Sequence, residues 1–136
     1  IDNLASGHET RDFPLSVLPK KSQVRHVFNY QTTDAINRNA GFFTLEDDSA
    51  YLVHLVAVAK KSDGSARGFW DRTALVYRAG AGATIQGTTQ DTTSGQESDS
   101  GLDGTIVVSG NNCGLQVTGL ASSTIDWRIE VEILSI

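Results

Sequence analysis

The chain has 136 residues, 39% of them hydrophobic and 20% charged, which is ordinary for one globular domain and too apolar for disorder. Its 16 acidic residues outnumber 11 basic ones, and a net charge of -5 argues against a phosphate-rich partner, so no nucleic acid is expected. No apolar run reaches the roughly 20 residues that cross a bilayer, and no charged-then-apolar leader opens the sequence, so no membrane insertion is expected.

The sequence begins at Ile1 and contains no Met, which predicts a piece of a longer protein whose remainder could hold the chemistry. Residues 1–23 read as a connector from a preceding domain. They carry both prolines, Pro14 and Pro19, around the apolar pattern Phe13, Leu15 and Val17, and end in a short edge strand. Residues 24–136 read as a β-sandwich domain. "VRHVFNY" (24–30) is its first clear strand. "TTDAINRNAG" is the one helical candidate, short and rich in Thr and Asn.

"FFTL" (42–45) is a short apolar strand. "AYLVHLVAVAKK" (50–61) is a long one, and the Asp-Gly turn "SDGS" returns it as "GFWDRTALVYRAG" (68–80). "ATIQGTTQ" follows, then the polar, acidic loop "DTTSGQESDSGLDG" (91–104). "GTIVVSG" and "CGLQVTG" pair through "GNN". In "TIDWRIEVEILSI", Ile125, Trp127, Ile129, Val131 and Ile133 alternate with Asp126, Arg128, Glu130 and Glu132, so the chain closes on a long half-buried strand. Short strands separated by turns predict an all-β fold, an antiparallel sandwich of jelly-roll-like type.

Two strands break simple alternation. In 51–59 one face holds Tyr51, Val53, Leu55, Ala57 and Ala59, and the other holds Leu52, His54, Val56 and Val58. In 69–77 Phe69, Leu75 and Tyr77 face one way, and Trp70, Ala74 and Val76 the other. A lone sandwich leaves its outer faces polar. Apolar content on both faces, with no helices to cover it, predicts a second copy of the chain as the cover, with loops and the N-terminal connector as the alternative. Leu52, His54, Val56 and Val58 are therefore the candidate interface.

Motifs for catalysis are absent. There is no G-x-S-x-G elbow, no phosphate loop, and no spaced metal pair among His8, His26 and His54. The carboxylates of Glu46, Asp47 and Asp48, and of Asp91, Glu97, Asp99 and Asp103, sit in loops without glycosidase or EF-hand spacing. No enzyme activity, cofactor or metal is expected of this piece. Cys113 alone makes no internal disulfide; it reads as a buried core residue in a protein assembled in a reducing compartment.

Residues 100–136, "SGLDGTIVVSGNNCGLQVTGLASSTIDWRIEVEILSI", resemble the C-terminal domains of bacteriophage tail spikes and tail fibres. The features are the Gly-Asn turn, a small-residue turn, and T-I-D-W opening the last strand. The hairpin of residues 51–80 is similar to the strands before that block. The resemblance implies a β-sandwich cap on a homotrimeric adhesion protein of the virion tail, assembled in the host bacterial cytoplasm. It also implies that any polysaccharide depolymerase activity belongs to an upstream β-helix. Two roles compete: trimerisation, or recognition of host surface polysaccharide, with Trp70 and Tyr77 as candidate stacking platforms beside the acidic loops.

Overall fold

The computed structural model describes residues 15–91 and 96–136 and contains, among them, strands and turns but no helix. In chain order the strands are β1 (Leu15–Leu18), β2 (Gln23–Thr32), β3 (Asn37–Leu45), β4 (Ser49–Lys61), β5 (Arg67–Arg78), β6 (Ala83–Ile85), β7 (Gln90–Asp91), β8 (Asp103–Ser109), β9 (Asn112–Thr118) and β10 (Ile125–Ser135). They build two sheets. One has four strands in the order β1-β3-β9-β8; the other has six, in the order β2-β10-β4-β5-β6, with β7 also on β5.

The all-β sandwich expected from the sequence is the observed architecture. One pairing departs from the expected antiparallel pattern. β1 runs parallel to β3, with Leu15 beside Phe43 and Leu18 beside Leu45. The short edge strand expected at the end of the connector is thus an integral edge of the four-stranded sheet. The connector residues before it lie outside the described residues.

The helical candidate at 32–41 is instead the end of β2, a turn, and the start of β3. Asp34 Oδ1 accepts the Ile36 N–H at 3.2 Å, an Asx turn that competes with helix for the same backbone donors. At the β4–β5 turn, Gly64 holds φ +79° and the Asp63 carboxylate accepts the Ser65 N–H at 2.9 Å. Asp-Gly chemistry sets this hairpin, as the sequence suggests.

β10 lies in the middle of its sheet, antiparallel to β2 on one side and β4 on the other. Ile125, Trp127, Ile129, Val131 and Ile133 point into the core, none more than 2% exposed. Across from them the four-stranded sheet contributes Phe43, Leu45, Ile106, Leu115 and Val117. Trp127 satisfies its one polar atom inside the core by donating Nε1–H to Thr32 Oγ1 at 3.0 Å.

One end of the sandwich is latched twice, since Tyr51 and Ser135 are partners in register. The buried Tyr51 hydroxyl donates to the Leu18 carbonyl of β1 and accepts from the Glu46 N–H at 3.0 Å. Ser135 at the end of β10 accepts the Ser22 N–H at 2.8 Å and donates to the Pro19 carbonyl at 3.0 Å. The far edge of β5 is blunted by three short segments in turn. β6 covers residues 76–78, β7 covers 72–73, and Gln96–Ser98 covers 67–69.

Candidate interaction surface

Because successive residues alternate, the same backbone that buries Tyr51, Val53 and Leu55 turns Leu52, His54, Val56 and Val58 outward. Register then decides their neighbours. Leu52 lies between Leu75 and Leu134, His54 between Thr73 and Glu132, and Val58 between Phe69 and Arg128. The outer face of the six-stranded sheet therefore carries two apolar clusters, Leu52 with Leu75 and Leu134, and Val58 with Phe69, separated by rows that hold Thr73, His54 and Glu132, then Asp71, Val56 and Glu130. Leu52 is 44% exposed, Val58 51%, Phe69 41%, Leu75 41% and Leu134 56%. All four expected interface residues share this face. Phe69 and Leu75, already on one face in sequence, and Leu134 complete it. Leu134 escaped notice because its contribution depends on β10 lying beside β4, which no local pattern encodes.

His54 stands between the two clusters. Its Nε2 is 2.6 Å from Asp71 Oδ1 on β5, and its Nδ1 is 3.8 Å from Glu132 Oε1 on β10. A shallow depression of about 340 Å³ runs beside it, lined by Leu52, Thr73, Glu132, Leu134 and Gln23. A second, of about 600 Å³, follows the β2 side past Asn29, Gln31, Val58, Lys60 and Arg128. On the β2 side, Arg25 Nε donates to Glu130 Oε2 at 2.6 Å in the rows between the two clusters.

Trp70 does not belong to this surface. It is 1% exposed and packs against Trp127 with ring centroids 5.3 Å apart. The expectation of a stacking platform at Trp70 therefore does not stand, since a ring buried on both faces offers none to a sugar. With aromatics at 69 and 70, sequence alone could not say which faced inward; pairing with β4 places Trp70 beside Ala57 on the core side.

Tyr77 is half-buried and lies on the outer face between Ala50 and Thr84. It borders an open groove of about 360 Å³ with Asp48, Ser49, Arg78 and Ile136. The structure thus brings Tyr77 to the acidic loop 46–48. That loop is held in place: Asp47 accepts the Gly80 N–H at 2.7 Å, and Arg78 donates to the Leu45 carbonyl at 2.8 Å. The Gly80 amide draws the Asp47 carboxyl below its usual range. The acidic loop after β6 is also partly structural, since Asp91 and Asp103 both face the Arg72 guanidinium. Among the described residues no three His, Cys, Asp or Glu side chains gather as a metal site.

No family model matches the sequence, and neither does any curated protein. Among solved structures, the crystal structure of the Acinetobacter baumannii phage AM24 tailspike protein aligns with a TM-score of 0.43 and 11% identity. The alignment covers 84% of this chain and 26% of that one, so the chain spans about a quarter of the tailspike's length.

Proposed function

We propose that this chain is the C-terminal, chain-associating domain of a phage tail spike or tail fibre, and that three copies pack through the outer face of the six-stranded sheet. One observation carries the reading. Five large apolar side chains, each more than 40% exposed, stand on one sheet face in two clusters, Leu52 with Leu75 and Leu134, and Val58 with Phe69. Burying each more fully is worth a sizeable part of the roughly 1.5–3 kcal/mol that complete burial of such a side chain brings.

The sequence likeness of residues 51–80 and 100–136 to tail spike ends supports three copies rather than two. In this reading the protein serves the virion tail, any depolymerase activity resides in another part of the spike, and the domain holds the chains in register. A second role, contact with host polysaccharide, is favoured by the groove where Tyr77 meets the acidic loop 46–48.

Hydroxyl-radical labelling of the purified chain at low and high concentration tests the association. Leu52, Val58, Phe69, Leu75 and Leu134 should lose reactivity as concentration rises. Val17 and Ile36, 49% and 58% exposed but elsewhere on the molecule, should not. Equal labelling of both groups at all concentrations would sink the proposal.

A further inference from the structure

The opposite outer face, that of the four-stranded sheet, is built differently. Its middle row places Phe42 on β3, Gly114 on β9 and Val107 on β8 side by side. Gly114 has no side chain to fill the gap between ring and valine. A Cβ there would meet Asn39 Oδ1 at 2.7 Å and Val107 Cγ2 at 3.3 Å, so the Asn39 amide reaches into that space. The next row is Thr44, Asn112 and Ser109. The result is a trough of about 220 Å³ with a glycine floor, an aromatic wall and amides at its ends.

The chemistry of the lining selects a ligand class. Phe42 supplies a planar apolar surface, half-buried and held in the sheet. Asn112 is oriented, because its Oδ1 accepts a hydrogen bond from Thr44 Oγ1 at 2.6 Å. That leaves its NH₂ group as the donor facing a ligand. Asn39 and Ser109 add groups that both donate and accept. No charged side chain lines the trough, so a carboxylate or sulfate ligand would meet no counter-charge. A ring with apolar C–H faces and hydroxyls around its rim matches each of these features.

We propose that this trough binds an uncharged saccharide, one pyranose ring stacked on Phe42 with its hydroxyls on Asn39, Asn112 and Ser109. The site is separate from the association face and from the Tyr77 groove, so it stands or falls independently of both.

The test is NMR titration of the ¹⁵N-labelled chain with maltohexaose, cellohexaose and mannohexaose, and with an oligogalacturonate as acidic comparison. At least one neutral hexamer should shift the Asn39 and Asn112 side-chain amides, with no matching shifts around Tyr77. Phe42→Ala should weaken that binding about tenfold or more. Should Phe42→Ala fail to fold, Asn112→Ala, on the solvent side of β9, should show the same loss. Silence at both amides with all three neutral hexamers would overturn the proposal. So would tighter binding of the acidic oligomer at the same place, or shifts confined to Tyr77.

Discussion

The two sheets of this sandwich turn unlike faces to the outside. The six-stranded sheet presents Leu52, Val58, Phe69, Leu75 and Leu134, with His54 and its carboxylate neighbours among them. The four-stranded sheet presents Thr44, Asn112, Ser109, Asn39 and Gln116 around one half-buried phenylalanine. A free-standing sandwich needs polar residues on both. One sheet obeys that rule, and the other breaks it at two clusters set among charged residues such as Glu130, Glu132 and Asp71. Alternation therefore tells which residues face out, and the chemistry of those outward residues is what distinguishes the two sheets.

The most drastic way to break this contrast is to remove the strand beneath the apolar face. Deleting residues 129–136 takes away most of β10, the interior strand paired on both sides. The loss should exceed the roughly 5–15 kcal/mol that holds a domain of this kind together, leaving circular dichroism without a cooperative thermal transition. A folded truncated chain would show that β10 is dispensable.

Neighbouring aromatics sharpen the contrast between inside and outside. Trp70→Ala empties a core site against Trp127 and should cost about 3–5 kcal/mol in urea denaturation. Phe69→Asp, one residue away but facing out, should cost less than about 1 kcal/mol in the single chain. The same Phe69→Asp change, like Val58→Asp, should weaken self-association at least about tenfold by sedimentation, since it puts an unpaired charge into the Val58–Phe69 cluster. Gln116→Asp on the polar face should leave association unchanged.

A gradual effect, spread over several pH units, concerns the core between the faces. Burial pushes the Cys113 thiol up to about 12, well above the unfolded value near 8.5. The folded state thus favours the protonated thiol. Its contribution is complete below pH about 8.5 and declines as pH rises from there toward 12. Urea stability should fall in that window by no more than about 1.4 kcal/mol per pH unit from this group, and Cys113→Ala should flatten the decline.

Much of this was legible in the sequence because strand alternation is a local signal. The inward row of β10, the doubly apolar β4 and β5, and the Asp-Gly and Gly-Asn turns are each visible within a dozen residues. What remained hidden depends on register between distant strands. Parallel pairing of β1 with β3 has no local signature, and neither does the placing of Leu134 beside Leu52. Trp70 and Phe69 were interchangeable until pairing with β4 fixed which one faced the core. Asp34 in "TTDAINRNAG" closes a turn where periodicity suggested a helix. The trough of Phe42, Gly114 and Val107 draws one residue from each of three strands, so no stretch of sequence announces it.

The most direct test of the central claim is the solution mass of the chain by light scattering after size exclusion, measured beside Val58→Asp. The account predicts a mass near three times 14.6 kDa at micromolar concentration for the unaltered chain, and a shift toward 14.6 kDa for the variant. A mass of 14.6 kDa at every concentration would contradict it, and the apolar face of the six-stranded sheet would then need another partner.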